Sequence, residues 1–194
     1  MRSRIEEKIS LHKFELIKIR KWILSLNGEK IYNKRKISSI YFDNSNYSMF
    51  SDSEEGICPR SKLRIRSYDD KKIFFLEKKI SNQNFRLKKN QEISESKFIY
   101  FLKRGLIEKN YGICRPKIIV SYIREYYMLK NIRITIDVDI RYSLFNSKIT
   151  KFDKSNVMEL KTDQIFKKDF INNFFYFKRT RFSKYCRGLQ LLLN

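Results

Sequence analysis

Hydrophobic and polar residues alternate along much of the chain, a pattern typical of strands that bury one face. The longest alternation covers residues 131–142, where isoleucine or valine takes every second position and arginine, threonine or aspartate the positions between. Shorter strands with β-branched and aromatic residues are predicted at residues 4–11, 39–43, 61–68, 72–80, 85–88, 117–127 and 157–162. Asp69 and Asp70 predict a hairpin turn between two of them.

Three segments have the spacing or end signals of helices. Residues 14–26 place Phe14, Ile17, Trp22 and Leu26 among their apolar positions, with a stop signal at residues 27–28. Helices are also predicted at residues 94–104 and 164–177, whereas residues 44–59 are rich in turn formers and residues 181–193 form a mixed terminal element. Without a linker or an internal repeat, residues 1–194 are predicted to form a single α+β domain of mostly antiparallel strands.

Charge narrows the range of ligands. Lys and Arg number 43 against 21 Asp and Glu, which gives a formal net charge of +22, while 42% of the 194 residues are hydrophobic. This composition is globular, so the basic charge does not belong to a disordered tail. It favours polyanions: nucleic acid, anionic lipid or polyphosphorylated small molecules. No signature of an RRM, KH, zinc-finger or helix-turn-helix module is present, so no specific nucleic acid is expected.

The scarcity of certain residues excludes several chemistries. His12 is the only histidine, so a His-based triad and a multi-His metal site are excluded. Cys58, Cys114 and Cys186 lie far apart and form no CxxC, which predicts reduced thiols rather than a disulfide framework. No apolar run approaches the roughly 20 residues of a membrane span, and acidic residues interrupt the start where a signal peptide is apolar. We therefore expect a cytoplasmic protein.

The polar faces of the predicted strands carry arginine or lysine repeatedly, often at positions i and i+2, together with some acidic residues. Two arrangements are compatible with this pattern. In an open sheet the face is solvated, and its ion pairs contribute little to stability. In a closed barrel with these faces inward, the same residues line a cationic cavity, and the cost of uncompensated buried charge implies an anionic ligand. Alternation alone leaves both arrangements open.

Eight short motifs occur in an order that resembles a known family. In chain order they are RIEEK, SIYFDN, PRSKLRIRSYDD, FLEKK, PKIIVSYIREYY, RITIDVDIRY, VMELKT and RFSKYCRG. Together they resemble the catalytic domain of the vacuolar transporter chaperone (VTC) complex, a polyphosphate polymerase domain of the triphosphate tunnel metalloenzyme, or CYTH-like, superfamily. The resemblance covers residues 4–188. It implies a closed antiparallel β-tunnel of about eight strands, with a basic interior and flanking helices.

The resemblance also implies functions for individual residues. Those that match basic residues of the family's tunnel, and that we expect to be catalytic, are Lys8, Arg64, Arg66, Lys79, Arg124, Arg133 and Lys184. Further phosphate contacts are expected from Arg86, Lys88, Tyr122 and Ser183. The resemblance attributes Ser183 and Lys184 to the final strand. Glu159 matches the metal-binding acid, and Glu6 either joins it or pairs with Lys8. Oxygen ligands of this kind suit Mg²⁺ or Mn²⁺.

The activity implied by the resemblance is metal-dependent transfer of the γ-phosphoryl group of ATP onto a polyphosphate chain. Arg4 stands where superfamily triphosphatases have the first acid of an ExExK pattern, which favours the polymerase-like branch. Two alternatives stay open: hydrolysis of inorganic or nucleoside triphosphate on the same fold, and non-catalytic polyanion binding. The expected ligands are ATP or triphosphate and inorganic polyphosphate. Any membrane association is expected to come from a membrane-protein partner that this chain does not encode.

Overall fold

The computed structural model describes residues 5–83, 85–162 and 180–193, which contain ten strands and four helices. The strands are β1 (Ile5–Leu11), β2 (Glu29–Asp43), β3 (Arg60–Tyr68), β4 (Phe74–Ser81), β5 (Arg86–Ile93), β6 (Leu106–Glu108), β7 (Gly112–Leu129), β8 (Ile132–Leu144), β9 (Thr150–Phe152) and β10 (Asn156–Thr162). The helices are α1 (Lys13–Ser25), α2 (Ser48–Glu55), α3 (Glu95–Arg104) and α4 (Lys184–Leu193).

The strands form one hydrogen-bonded sheet in the order β1-β10-β8-β7-β2-β3-β4-β5, with β6 paired to β7 and β9 paired to β8. The registered pairs are antiparallel. The predicted α+β class with antiparallel strands is therefore confirmed. Over the described ranges the ladder starts at β1 and ends at β5, so hydrogen bonds between these two strands do not close the sheet. No helix in these ranges is long and apolar enough to cross a bilayer.

One compact unit comprises Met1–Arg35, Tyr122–Ile140 and Asp153–Phe182. Its core forms where α1 packs with Leu16, Ile19 and Ile23 against apolar side chains of β1, β8 and β10. These three positions recur at i, i+3 and i+7, which places them on one face of the helix. Two of the apolar residues that marked the helix in the sequence do not belong to this face, since Phe14 is 83% exposed and Ile17 is exposed as well.

The second compact unit comprises Lys36–Ser121, Arg141–Phe152 and Ser183–Asn194. Strands β3, β4 and β5 follow one another as antiparallel neighbours. Asp69 and Asp70 have φ angles of +53° and +56°, which are those of the predicted hairpin turn. The buried carboxylate of Asp43 accepts hydrogen bonds from the backbone N–H of Met49 and Phe50 in the first turn of α2 and from the Tyr185 hydroxyl of α4. A single side chain thus anchors two helices of this unit.

Several elements differ from the sequence-based prediction. Strands β2 and β7 are longer than expected, and α2, β6 and β9 were not expected at all. Residues 181–193, predicted as a mixed terminal element, contain α4, whose start is capped because the Ser183 hydroxyl accepts the backbone N–H of Cys186. Ser183 and Lys184 therefore stand at a helix start and not on a final strand. The predicted helix at residues 164–177, and Arg4, lie outside the described residues.

Candidate functional site

In the first unit, β1, β10 and β8 turn a polar face away from α1. Residues directly opposite one another on antiparallel strands share a face, and here the cross-strand rows consist of Lys8, Glu159 and Thr135 and of Glu6, Lys161 and Arg133. We call these six residues the Glu159 face. The neighbouring positions of β8 and β10 on the other face, among them Ile134 and Met158, belong to the apolar core with α1.

Glu159 is a buried carboxylate among cations. It is 7% exposed, and the Nζ of Lys161 lies 3.3 Å from its Oε2. Burial by itself would raise the pKa of Glu159, but hydrogen bonding between the Glu6 and Glu159 carboxyl groups and the charges of Lys161, Lys8 and Arg124 outweigh burial and hold this pKa well below its usual range. Glu159 is therefore ionised at neutral pH.

The two lysines of the Glu159 face differ in their surroundings. Lys8 donates a hydrogen bond of 3.1 Å to the backbone oxygen of Phe182 and lies 3.9 Å from Glu6. Burial lowers the pKa of Lys161, and the carboxylates of Glu159 and Glu6 only partly oppose that effect. Lys161 is thus more easily deprotonated than a solvated lysine, and an anionic ligand nearby would favour its charged form.

Two buried polar atoms of the Glu159 face have no hydrogen-bond partner within the described structure. They are Oγ1 of Thr135, a residue only 3% exposed, and Nε of Arg133. Buried polar groups are hydrogen-bonded in nine cases of ten or more. Because Thr135 lies opposite Glu159 and Arg133 lies opposite Lys161, both atoms are placed where a bound anion or ion could satisfy them.

Strand β7 adds Tyr122 and Arg124 to the first unit. Arg124 forms a two-pronged ion pair with Asp137 of β8 through its Nε and Nη2 atoms. The guanidinium also lies over the ring of Tyr122, with 5.3 Å between Cζ and the ring centroid. Burial by itself would lower the pKa of Arg124. The interactions with Tyr122, Asp137 and Glu159 outweigh burial and raise this pKa above its ordinary value, so the guanidinium stays charged.

The second unit has a basic face of its own on β3, β4 and β5. Lys62, Lys79 and Lys88 lie directly opposite one another on the three strands, and we call them the lysine row. Like charges that face each other across a sheet are destabilising. A row of three is therefore a local electrostatic cost that a polyanion would relieve. Arg86 is exposed on β5, in the next position along this face and opposite Ser81.

Glu77 balances part of this charge. This residue is 3% exposed, and its carboxylate contacts Arg64 at 2.5 Å, Lys88 at 2.9 Å and Arg66 at 3.6 Å. Burial would raise the pKa of Glu77, but the charges of Arg64 and Arg66 and the hydrogen bond from Lys88 lower it to about 2. Glu77 thus fixes the positions of three of the predicted phosphate-binding residues.

The start of α4 meets the same face. Lys62 Nζ donates a hydrogen bond of 2.7 Å to the Ser183 hydroxyl. Arg64 Nη1 donates to the hydroxyl of the buried Tyr41, whose ring stacks on that of Tyr185 with a centroid distance of 5.2 Å. Burial would raise the pKa of Tyr41, but the charges of Arg64, Arg66 and Lys184 outweigh burial and lower it.

The predicted site residues thus fall into two groups. Those of the first unit are Glu6, Lys8, Tyr122, Arg124, Arg133 and Glu159, and those of the second are Arg64, Arg66, Lys79, Arg86, Lys88, Ser183 and Lys184. Thr135, Glu159 and Asp137 of the first unit and Arg66 and Glu77 of the second are buried, which is not typical of a solvated sheet face. The chemical functions of these residues remain predictions.

Several residues that lie beside the predicted ones are not among the predicted site residues. They are Thr135, Asp137 and Lys161 in the first unit and Tyr41, Lys62 and Glu77 in the second. For two of them the signal was the period of two, since Lys62 precedes Arg64 by two positions and Lys161 follows Glu159 by two. Within the described ranges, no group of three or more His, Cys, Asp or Glu is arranged to hold a metal.

Comparison with known proteins gives both a family and a fold. Residues 3–112 and 107–193 match the VTC domain family. A candidate adenylate cyclase from Bacillus halodurans is similar in structure, with a TM-score of 0.64, 14% identity and coverage of 98% of this chain and 97% of that one. So is a candidate adenylyl cyclase from Hippeastrum, described as having a dominant triphosphatase activity, with a TM-score of 0.61, 14% identity and coverage of 99% and 98%.

A third solved structure, the PH1819 protein from Pyrococcus horikoshii, has a TM-score of 0.60 and 19% identity, with coverage of 97% of this chain and 98% of that one. At these identities the likenesses show the fold alone. The match to the VTC domain family agrees with the family that the eight motifs indicated. No curated protein matches the sequence at a significant level.

Proposed function

The chain belongs to the VTC domain family, and on this premise we propose that it is a metal-dependent polyphosphate polymerase that transfers the γ-phosphoryl group of ATP onto a polyphosphate chain. The observation that carries the proposal is the Glu159 face: one ionised carboxylate held among Lys8, Lys161 and Arg124, with two buried polar atoms beside it that have no partner in the described structure.

Charge on both basic faces supports a phosphate chain as the ligand. A triphosphate carries about four negative charges distributed over many oxygens, and arginine and lysine bind such oxygens as planar forks and as point charges, respectively. Phosphoryl transfer requires positioning and charge neutralisation more than covalent participation by the protein. Arg124, held by Asp137, and Arg64, held by Glu77, are fixed in position before a ligand arrives.

The donor set fits Mg²⁺ or Mn²⁺. The carboxyl groups of Glu6 and Glu159 interact with each other, and a divalent cation bound by both would relieve the repulsion between two carboxylates. Mg²⁺ is commonly bound by one or two carboxylates together with substrate phosphates and water. Glu159 and Glu6 would hold the ion, with the Thr135 hydroxyl opposite Glu159; the bound ion would supply neutralisation of charge on the phosphate oxygens.

In the proposed reaction, a terminal oxygen of the polyphosphate chain forms a bond to the γ-phosphorus of ATP. The bond between that phosphorus and the β–γ bridging oxygen breaks, and ADP leaves with the electron pair. Arg124, Arg133 and Lys161 bind and orient the phosphates. The lysine row of the second unit binds the polymer through its repeated charge. No change of oxidation state occurs.

The test is product analysis after incubation with ATP, Mn²⁺ or Mg²⁺ and a short polyphosphate primer. We expect long polymer on a polyphosphate gel and one ADP for each phosphate added. Glu159→Gln, which keeps the size of the side chain but loses its charge, should reduce turnover at least 100-fold. Glu55→Gln, a change at an exposed position of α2, is the matched control and should leave turnover unchanged.

One comparison favours a second activity. The structural relative from Hippeastrum is described as having a dominant triphosphatase activity. Water would then attack the terminal phosphorus in place of the polymer, and the products would be diphosphate or a nucleoside diphosphate together with inorganic phosphate. Release of inorganic phosphate alone, with no polymer under any primer condition, would replace the polymerase proposal with this one.

Non-catalytic binding of polyanions makes a different prediction for the same variant. Affinity would then fall steeply with salt, because it rests on charge alone, and Glu159→Gln would leave both binding and products unchanged. The polymerase proposal requires Glu159→Gln to lose turnover while it retains most of its affinity for tripolyphosphate. Parallel titrations of the two proteins with tripolyphosphate separate these outcomes.

A further inference from the structure

The first unit contains a cavity that the proposed phosphate contacts do not account for. Its volume is about 680 Å³, and it lies between the first half of β2 and residues 125–127 near the end of β7. Its lining includes Lys30, Tyr32 and Arg35 from β2 and Tyr126 from β7. Sites for small ligands are usually of this size and combine aromatic walls with a few polar groups.

Two aromatic rings and the guanidinium group of Arg35 lie close together in this cavity. The rings of Tyr32 and Tyr126 meet edge to face with a centroid distance of 5.6 Å. The Cζ of Arg35 lies 5.6 Å from the centroid of Tyr32 and 5.9 Å from that of Tyr126. Tyr32 is 54% exposed, whereas Tyr126 is buried. Tyr32 thus offers a partly exposed ring beside the positive charge of Arg35.

The Glu125 carboxylate, which lines the cavity, carries little uncompensated charge. Glu125 is buried and its carboxylate is neutralised by Arg20, at 2.7 Å, and by Lys34, at 3.1 Å. The Tyr127 hydroxyl also donates a hydrogen bond to it. This carboxylate would therefore not repel a negatively charged ligand at the mouth of the cavity, where Lys30 and Arg35 are exposed.

Arg133 connects the cavity with the Glu159 face. Its Cζ lies 5.8 Å from the centroid of Tyr126, and its Nε is buried without a partner in the described structure. Its cross-strand neighbour is Lys161, which is paired with Glu159. On β7, Tyr126 follows Arg124 by two positions and so shares its face. A ligand that begins in the cavity can thus pass Arg133 on its way to Glu159.

The chemistry of the cavity selects one class of ligand. A bare phosphate chain has no apolar surface and gains nothing from the open ring of Tyr32, whereas a nucleotide combines a flat aromatic base with negative charge. Stacking of a base on an aromatic side chain contributes about 1–3 kcal/mol, and a neighbouring arginine adds to it. We infer that this cavity binds the base and sugar of a nucleoside triphosphate whose phosphates extend past Arg133 to the Glu159 face.

This inference rests on the proposed function, in which ATP is the phosphoryl donor, and it adds a specificity site to it. Tyr32 would stack on the base, and Arg35 would hold the α-phosphate side of the nucleotide. Inorganic triphosphate would bind without contacts to the cavity. The protein would therefore discriminate nucleoside triphosphate from inorganic triphosphate through residues that contact no transferred phosphate.

Calorimetric titration with two ligands tests the inference: AMP-PNP, a non-hydrolysable ATP analogue, and inorganic tripolyphosphate, each with Mg²⁺. Tyr32→Ala should weaken AMP-PNP binding about tenfold and leave tripolyphosphate binding unchanged, which also shows that the variant is folded. Tyr32→Phe, which keeps the ring, should recover AMP-PNP binding. Tyr100→Ala is the matched control, since Tyr100 is 59% exposed on α3 in the second unit.

The outcomes separate the two proposals. If Tyr32→Ala leaves AMP-PNP binding unchanged, or weakens both ligands equally, the inference is wrong while the proposed function stands. If the unmodified protein binds neither ligand, both fall. A loss confined to AMP-PNP, with recovery in Tyr32→Phe, supports the cavity as the nucleoside site.

Discussion

Arg124 and Asp137 form a two-pronged ion pair, with 2.5 Å between Nε and Oδ1 and 2.7 Å between Nη2 and Oδ2. Both side chains are nearly inaccessible to water. The pair joins β7 to β8 on the polar side of the first unit. It therefore stabilises this region and orients Arg124, a residue predicted to bind phosphate. A buried pair of this kind depends strongly on both of its members.

Asp137→Asn should therefore destabilise the protein. The substitution leaves the guanidinium of Arg124 buried without its counter-charge, and we expect the free energy of unfolding to fall by about 3 kcal/mol. Urea denaturation measures the change. Asp70→Asn is the control, because Asp70 pairs with Lys36 at 2.8 Å on the surface, where such pairs contribute at most about 1 kcal/mol. Equal effects of the two substitutions would contradict this assignment.

Acid should destabilise the second unit through Glu77. Its pKa is about 2 in the folded protein, below the ordinary value of 4.5, so the folded state holds this proton less tightly than the unfolded state. The stabilisation is complete above pH 4.5 and is lost as the pH falls from 4.5 to 2, with a total of about 3 kcal/mol. Denaturation at a series of pH values should show this decline.

Glu77→Gln provides the control for the acid effect. The variant should be less stable at neutral pH, because Arg64 and Arg66 lose a counter-charge, and its stability should vary less between pH 4.5 and 2. Glu159, whose pKa is also lowered, contributes a slope of the same sign in both proteins. An unchanged slope in Glu77→Gln would assign the acid sensitivity to other groups.

The lysine row should contribute to binding of phosphate chains. Lys79 is the central member, opposite both Lys62 and Lys88. Lys79→Met removes one charge from the row, and we expect the affinity for tripolyphosphate at low salt to fall about tenfold, as for loss of one hydrogen bond to a charged group. Calorimetric titration measures the affinity.

Lys89→Met is the matched control for that substitution. Lys89 is exposed on β5 and lies opposite Lys78, so its side chain belongs to the other face of the sheet. It should leave the affinity unchanged, and the dependence of binding on salt should be weaker in Lys79→Met alone. Equal losses in both variants would point to net charge, not the row, as the source of binding.

The three thiols should differ in reactivity. Burial, together with the charges of Asp43 and Glu108, raises the pKa of Cys114 to about 11, and Cys186 is buried too. Cys58 is partly exposed. Because the thiolate is the reactive form, a disulfide reagent such as DTNB should label one thiol per native chain rapidly and all three after unfolding. Cys58→Ser should abolish the rapid phase.

Gly188 should not tolerate a side chain. A Cβ at this position of α4 would lie 2.6 Å from Cδ1 of Tyr142 and 2.9 Å from Cδ1 of Ile118. Gly188→Ala should lower the melting temperature, because overpacking of this kind costs about 1–3 kcal/mol. Gln190→Ala, at an exposed position of the same helix, should have a much smaller effect. Thermal unfolding followed by circular dichroism makes the comparison.

Periodicity predicted the strands well, because alternation directly reflects which side of a strand is buried. The turn at residues 69–70 and the helix end at Gly105, where φ is +86°, were also evident from local residue preferences. Helix α2 was not, since its first turn is held by Asp43, a side chain outside the helix. Helix α4 was missed as well, because no pattern within residues 181–193 distinguished a helix from a strand.

The site was predictable only in part. Order and spacing of motifs identified Glu159 and the arginines, but cross-strand partners depend on register, which a single sequence does not specify. Asp137 meets Arg124 only because β7 and β8 are paired in one particular alignment, and Glu77 meets Lys88 across β4 and β5. The cavity beside Tyr32 likewise requires that two distant segments lie side by side.

Helix α4 supports the basic face of the second unit, so changes to this helix affect residues that lie far from it in the sequence. Ser183 receives the amino group of Lys62, and Tyr185 both packs on Tyr41 and binds Asp43. Removal of α4, or a bulky group placed next to it, would remove or displace these contacts. It would thereby disturb Tyr41 and Arg64, whose Nη1 donates to the Tyr41 hydroxyl. Loss of activity in a variant without α4 would therefore not by itself identify a catalytic group in this helix.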